Sequence, residues 1–455
     1  MITLGFNAGT LTAEGDLPPD LAGELFRSDP RTGNCRARGC DYARIMLRLQ
    51  CAGIRVTDRA REYRQLDTLS LKENLKLRPH QEQAFDAWKN NQFRGVAALP
   101  TGSGKTILAV YAINFLKRST LVLVPTIDLL VQWVNVLERF FGPEIGMLGG
   151  GSRDIRDITV STYDSAVLNM EYIGSRFGLL IADECHHLPG PETRLAAAMC
   201  IAPFRLGLTA TPELPEDRAW VLEDLMGSLV CRIAIDELKG KVLSPYVLKL
   251  LPAYLDADEA QRYRACRETY TAFLRHCRIS FRSPEDWGRF LIACGRQPGG
   301  REAFSAYLEQ RRISRSGRDK IRKVWEIIRS SAPESRILIF TADNAAAYEI
   351  GRTFFLPVIT HHTPANERKL FLENFRSGKY RILVTSQVLN EGVDVPEASV
   401  GIVVSGTGSR REHVQRLGRI LRPAPGKRQA VLYEIVSAGT SEEYVSNRRR
   451  TGSGI

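Results

Sequence analysis

The octapeptide Leu99-Pro100-Thr101-Gly102-Ser103-Gly104-Lys105-Thr106 constrains this chain more than any other stretch. It follows the apolar run GVAA and precedes the helix-like segment ILAVYAINFL, so a strand must end, a loop close and a helix begin within a few residues. Gly102 and Gly104 open backbone angles closed to other residues, which lets the loop curl with its N–H groups facing an anion. In that arrangement Lys105 neutralises β- and γ-phosphates, the Thr106 hydroxyl binds Mg²⁺, and Thr101 and Ser103 belong to the same phosphate-holding loop. The strict form of this loop asks for glycine at its first position, where this chain has Leu99.

The same texture recurs around the loop. From Leu77 onward, the runs GVAALP, LVLVP, ITVSTY, GLLIAD and RLGLTAT alternate with helix-length amphipathic segments. That is the pattern of a parallel α/β domain with strands buried on both faces. A second set follows residue 330, as RILIFT, RILVTS, VGIVVS and AVLYEI. The expectation is an α/β protein with two tandem parallel-sheet domains, over 77–245 and 326–445. Between them, 256–325 carries no strand-like run and is rich in Arg with spaced aromatics, as in QRYRACRETYTAFLRHCR. It reads as a helical insertion whose basic face could contact phosphates or simply be solvated. Residues 1–72 form a small α+β unit with strand-like starts MITLGF and GTLTAEG and a helix from Asp41 to Ala52. Residues 446–455 form a basic tail.

An excess of 63 Lys+Arg over 51 Asp+Glu gives +12, which admits a polyanionic partner without requiring one. No apolar run reaches the length of a membrane-spanning helix, and MITLGFNAGTLTAEGD lacks a basic flank and an apolar signal core. No membrane partner is expected. Nine scattered cysteines point to reduced thiols and a cytoplasmic setting.

One stretch supports two readings. Ile181-Ala182-Asp183-Glu184-Cys185-His186-His187-Leu188 holds five consecutive potential metal ligands, which suggests zinc. Side chains alternate along a strand, however, so five neighbours cannot converge on one ion, and no complementary Cys/His pair lies nearby. The nucleotide reading assigns Asp183 to Mg²⁺, Glu184 to polarising the attacking water, and His186 to a place near the γ-phosphate. Cys185 then packs only, and His187 is structural. Further on, Gln415-Arg416-Leu417-Gly418-Arg419-Ile420-Leu421-Arg422 spaces arginines as an arginine finger at a neighbouring γ-phosphate requires.

The ordered set LRPHQ (77–81), LPTGSGKT (99–106), VPTIDLLVQW (124–133), TVSTYDSA (159–166), DECH (183–186), TAT (209–211), ILIFT (337–341), SQVLNEGVDVP (386–396) and QRLGRILRP (415–423) resembles a superfamily 2 helicase of the DExH type. More closely, IAPFRLGLTAT, NEGVDVP and QRLGRILRP resemble the XPB family of DNA repair helicases in its compact archaeal and bacterial form. The likeness covers 77–440. DPRTGNCRARGCDYARIML resembles, more weakly, the start of that family's small damage-recognition-like domain. The resemblance implies two RecA-like motor domains with a thumb-like insertion that grips DNA. It also implies an ATP-dependent 3'-5' DNA helicase or duplex translocase in nucleotide excision repair, each ATP closing and reopening the cleft between the motor domains. Residue by residue, Arg78 and Gln81 would read adenine, and Gly392 and Asp394 would meet the nucleotide from the second domain. Gln415 would help position the water, and Arg419 and Arg422 would be the finger arginines. Thr126, Thr162 and Thr341 would touch the DNA backbone, and Thr209 and Thr211 would couple hydrolysis to domain movement.

Two departures bear on this. The family's Arg-Glu-Asp triplet, linked to strand separation, is replaced by TATPELPEDR, where Glu216 and Asp217 follow Pro215. Asn390 stands where an acid is usual. A second expectation is therefore an ATP-gated DNA-binding scaffold that positions a partner nuclease, and an RNA helicase is a third.

Overall fold

The apolar runs become the strands of three sheets in a computed structural model of the chain, which describes residues 1–30, 32–238, 240, 242, 244–281, 285–386, 398–405 and 429–443. The chain divides into two compact units, Met1–Leu238 and a second from residue 239 onward.

The first unit is built on an eight-stranded sheet. Its order is Leu229–Arg232, Arg94–Ala98, Phe204–Thr209, Leu179–Asp183, Thr120–Val124, Ile158–Thr162, Ile145–Gly149 and Ser152–Asp154. All neighbours are parallel except the final hairpin. The three strands at its centre, from 120, 158 and 179, are buried at every residue, which explains why they read as unbroken apolar runs. Leu121, Leu123, Leu180 and Ala182 meet Tyr163, Ala166 and Met170 in one core. Register places Ala98 opposite Thr209, Leu208 opposite Asp183, Ala182 opposite Leu123, and Val124 opposite Thr162. The carboxyl ends of five strands therefore open on one edge.

The N-terminal residues form a five-stranded sheet, ordered Arg27–Ser28, Cys35–Arg38, Thr10–Glu14, Ile2–Asn7 and Val56–Asp58. Helix Tyr42–Cys51 buries Tyr42, Ile45 and Leu49 against it. This lobe does not stand apart from residues beyond 72. Cys40 belongs to the core of the larger sheet. A Cβ on Gly39 would stand 2.5 Å from the Met199 carbonyl. Arg38 bridges Asp41 at 2.9 Å and Asp224 at 2.5 Å. Under this contact lies Arg205, fully buried, donating to the carbonyls of Ala197 (3.1 Å), Cys200 (2.5 Å), Ala202 (3.0 Å) and Leu225 (2.8 Å). One guanidinium thus ties three chain turns together where no carboxylate is needed.

The second unit carries a six-stranded parallel sheet, ordered Tyr246–Ala253, Ala430–Ser437, Val400–Val403, Ile337–Phe340, Ile382–Thr385 and Val358–Ile359. Tyr246–Ala253 falls outside both α/β ranges expected from sequence. It is an edge strand, half exposed, with Lys249 and Pro252 breaking its apolar run. The Arg-rich region forms helices Ala257–His276, Glu285–Arg296 and Gly300–Ser316, joined by an aromatic cluster of Phe273, Phe290, Tyr270, Trp287 and Tyr307. The next helix, Arg318–Ser330, buries Val324, Ile327 and Ile328 in the core of the second sheet, so the boundary expected at 325/326 falls inside a helix. On that helix Lys320 is fully buried, its ammonium 2.6 Å from Glu442 and 2.5 Å from the Val404 carbonyl.

Arg205→Ala takes a donor from four buried carbonyls, of which Ala197 and Leu225 keep a second one, so the first unit is expected to lose about 3 kcal/mol. Urea denaturation of the variant against the parent chain checks this.

Candidate nucleotide site

The loop after strand Arg94–Ala98 turns through Gly102 (φ 85°) and Gly104 (φ 90°), left-handed positions that suit glycine. At Gly104 a Cβ would also stand 2.4 Å from Gln81 Nε2, so a side chain there would displace that amide from the loop. Helix Lys105–Leu116 starts at once; the Ile107 and Leu108 N–H groups donate to the Gly104 carbonyl (3.0 and 3.2 Å), and those of Lys105 and Thr106 come before the first intrahelical acceptor. The opening of the loop is held by the sheet, where Leu99 N–H donates to the Thr209 carbonyl at 2.9 Å. Its far side is held from helix Pro79–Asn90. There Gln81 Nε2 donates to the carbonyls of Ser103 (3.1 Å) and Gly104 (3.0 Å), and His80 Nε2 lies 2.8 Å from the same Ser103 carbonyl. Because a carbonyl only accepts, His80 carries its proton on Nε2 there. Gln81 Oε1 accepts from the Arg78 N–H at 2.9 Å, so the amide is engaged at both ends; Arg78 itself is exposed at the helix start.

Strand Leu179–Asp183 delivers the acids. Asp183 is buried, its Oδ2 accepting from Trp133 Nε1 at 2.8 Å and its Oδ1 from the Glu184 N–H at 3.0 Å. Its carbonyl accepts from the Tyr163 hydroxyl at 2.9 Å. Strand alternation, carried through His187 in the sequence reading, stops here. Glu184 adopts a left-handed conformation (φ 46°, ψ 49°), and a short 3-10 turn Cys185–His187 follows. Such a conformation costs about 1–2 kcal/mol for a non-glycine residue. It brings the Glu184 carboxylate to Lys105, 3.3 Å from Nζ, and to His186, whose Nδ1 lies 3.4 Å away. Cys185 packs in the core beside Val96 and Gly207, and the His187 ring lies 4.3 Å from that of His186. His186 Nδ1 also meets Thr209 Oγ1 at 3.1 Å, and that oxygen accepts from the Thr211 N–H at 3.1 Å.

Burial pushes the Asp183 carboxyl up to about 6, the Glu184 charge adds to the rise, and Lys105 and the Trp133 hydrogen bond oppose it. The residues present fit a phosphate beside a divalent cation. Thr101 Oγ1 and Ser103 Oγ are buried with no hydrogen-bond partner among the described residues. Thr106 sits half-buried in the first turn of the loop helix, and two adjacent acids crowd one ammonium.

The structure thus brings together Gln81, the 101–106 loop, Asp183, Glu184, His186, Thr209 and Thr211. Thr126 and Thr162, at the same sheet edge, cap helices Ile127–Phe141 and Tyr163–Ile173 by accepting from Leu129 N–H (3.3 Å) and Ser165 N–H (3.2 Å). Thr341, in the second unit, is buried and donates to the Asp343 carbonyl at 2.8 Å. Glu216 and Asp217 are exposed in the first turn of helix Glu216–Met226, which Pro215 precedes, so both acids complement the helix dipole there. Gly392, Asp394, Gln415, Arg419 and Arg422 lie outside the described residues. Sequence reasoning missed His80, Trp133 and Tyr163. Each lies within a quoted motif, but nothing in the spacing marks its partner.

Three family models match the chain. They are "Xeroderma pigmentosum group B helicase damage recognition domain" over residues 4–60, "Type III restriction enzyme, res subunit" over 74–214, and "ERCC3/RAD25/XPB C-terminal helicase" over 320–452. The chain is 40% identical over 380 residues to "DNA 3'-5' translocase XPB2" of Sulfurisphaera tokodaii, covering 84% of this chain and 86% of that protein. It is 32% identical to "DNA 3'-5' helicase XPB" of Mycobacterium tuberculosis over 83% of this chain and 62% of the other. Among solved structures, the Hef helicase domain of Pyrococcus furiosus shares the fold with a TM-score of 0.54 at 19% identity, covering 82% of this chain and 98% of that domain.

The elevated Asp183 carboxyl has a consequence for stability. Its folded value, about 6, lies above the ordinary aspartate value of 3.8, so the folded state binds the proton more tightly. Stability is therefore lost as pH rises from about 4 to about 6 and stays lost above. Asp183→Asn removes this dependence. Between pH 5 and 7.5, the ligand-free variant is expected to gain about 1 kcal/mol on the parent, read by urea denaturation at both pH values.

Proposed function

The chain belongs to the XPB family of helicases, and on that footing we propose that it is an ATP-dependent 3'-5' DNA helicase or duplex DNA translocase acting in nucleotide excision repair. The observation that carries this reading is the run of contacts from Lys105 through Glu184 and His186 to Thr209 and Thr211, set against a glycine loop open to phosphate.

The residues suggest the order of events. Before nucleotide arrives, the Lys105 ammonium is held on Glu184. A triphosphate seated in the 101–106 loop, met by its N–H groups and the Thr101 and Ser103 hydroxyls, competes for that ammonium. Glu184, released from its ion pair, is then the carboxylate positioned to take a proton from the attacking water. Thr106 and Asp183 would hold Mg²⁺, which would supply charge neutralisation at the phosphates. His186 stands between Glu184 and Thr209, so a change at the γ-phosphate is felt at the strand end that carries Thr211. Gln81 grips the loop carbonyls, which joins adenine recognition to loop shape. From sequence alone, Gly392, Asp394, Gln415, Arg419 and Arg422 are assigned to the nucleotide as well.

Thr126, Thr162 and Thr341 are assigned to the DNA backbone, which suits a motor that must hold phosphates without reading bases. The Arg-rich helices 257–316 are assigned to DNA grip. Nine free thiols support a reducing, cytoplasmic setting, and among the described residues no helix is long and apolar enough to cross a membrane. A second reading is an ATP-gated scaffold that positions a nuclease and unwinds little. It is favoured by Glu216 and Asp217, which occupy helix-start positions after Pro215 and already have a structural role there.

ATPase rates with single-stranded, duplex, forked and bubble DNA test the motor, with RNA as competitor. DNA is expected to accelerate turnover. Glu184→Gln should lower kcat by about 10²-fold or more with nucleotide still bound, whereas Lys105→Ala should weaken nucleotide binding itself. A parent chain indifferent to DNA, or variants with undiminished turnover, sinks the reading. Directional strand displacement by the chain alone would remove the scaffold alternative.

A further inference from the structure

Asp183 is gripped twice, by two aromatic donors from two different helices. The Trp133 indole donates to its carboxylate at 2.8 Å, and the Tyr163 hydroxyl donates to its carbonyl at 2.9 Å. Both rings are almost wholly buried, at 1% and 2% exposure. A buried indole or phenol needs some acceptor, and satisfying that need is the plain explanation of either bond alone. It does not explain why both choose the same residue. Nor does it explain where the donors come from. Trp133 stands on helix Ile127–Phe141, capped by Thr126, and Tyr163 is the first residue of helix Tyr163–Ile173, capped by Thr162. These caps are two of the three threonines assigned above to the DNA backbone.

We propose that Trp133 and Tyr163 are positioning residues that carry DNA engagement at Thr126 and Thr162 to Asp183, and so make nucleotide turnover depend on DNA. The inference rests on the motor reading and deepens it by naming its regulation. Physically, a DNA phosphate at either cap is an acceptor, so it competes with the threonine oxygen for the Leu129 or Ser165 N–H, takes the hydroxyl proton that Thr162 now gives to Ser165, and draws on the first-turn N–H groups and the helix dipole. A helix answers such a pull as a rod. Trp133 lies seven residues beyond Thr126, about 10 Å along the axis, and Tyr163 adjoins its cap directly. A small shift of either helix changes the direction from which Asp183 is held. The strand pairs Asp183 with Leu208, and its neighbour Ala182 with Leu123, so a pull through Trp133 acts on the carboxylate and a pull through Tyr163 on the carbonyl that leads into Glu184.

The test measures the stimulation factor, the ratio of ATPase rates with and without saturating DNA, in Trp133→Phe and Tyr163→Phe. Both keep the ring and remove the donor. Tyr163→Phe deletes a single hydroxyl, so the comparison stands on a folded chain even where loss of the indole disturbs the core. The proposal expects the factor to fall about fivefold or more in each variant. DNA affinity, read by fluorescence anisotropy without nucleotide, should stay within about twofold of the parent. Linkage gives a readout apart from turnover. The ratio of DNA affinities with and without magnesium–ADP should move toward one in both variants. If the donors only satisfy burial, rates with and without DNA drop in the same proportion, the factor and the affinity ratio are unchanged, and the proposal is overturned. A parent chain whose ATPase ignores DNA overturns the motor reading and this inference together. A parent stimulated by DNA, with both variants stimulated as strongly, overturns this inference alone.

Discussion

The site depends on the register of five parallel strands. Ala98, Thr209, Asp183, Val124 and Thr162 are within a residue of one another along their ladders, so the turns that follow them share one edge. A slip of one residue would exchange the faces of every side chain on the slipped strand. The slip is opposed by burial on both faces. Leu121, Leu123, Leu180 and Ala182 fill one core, and the opposite faces of the same strands are equally shielded. Catalytic geometry is thus set by aliphatic packing well away from the reacting atoms.

Two acids and one ammonium share a largely buried place, and this arrangement is poised rather than optimal. Asp183 is held charged only against the cost of burial, and the neighbouring carboxylate adds to that cost. Lys105 answers part of the charge, and the Glu184 backbone accepts an unfavourable conformation to reach it. Interactions left incomplete in the free chain are those a phosphate and a cation can complete. Sites that bind charged ligands commonly hold such unspent electrostatics.

How much of this was legible in the sequence follows from what each feature depends on. Runs such as LVLVP and GLLIAD could be read because a strand buried on both faces has no polar interruptions. The edge strand Tyr246–Ala253 could not, because half exposure admits Lys249 and Pro252. Ile145–Gly149 was hidden by its two glycines, Gly149 at the hairpin and Gly146 where the backbone of Arg156 and Asp154 comes close. Lys105, Asp183 and Glu184 stood out because phosphate chemistry demands a local pattern. The grips on that pattern were not local. Trp133 reaches Asp183 across 50 positions and His80 reaches Ser103 across 23, and only the fold creates those neighbours. Two sets of strands were legible as two sheets; the N-terminal lobe keeps a core of its own around Ile2, Leu4, Ile45 and Leu49, and the packing of Cys40 into the core of the first sheet was not legible, because only the fold makes those neighbours.

That joining bears on how the molecule is made. Arg38 leaves the ribosome early, whereas its partner Asp224 is 186 residues further on. At ordinary rates of synthesis the gap lasts roughly 10 to 40 s, far longer than a small lobe needs to collapse. The first lobe therefore waits with its docking face bare, Gly39 and Cys40 uncovered, until Met199 and Arg205 arrive to close over them. The nascent chain thus carries an unfinished interface through most of the synthesis of its first unit, a window in which a chaperone or a neighbouring copy has first access to that surface.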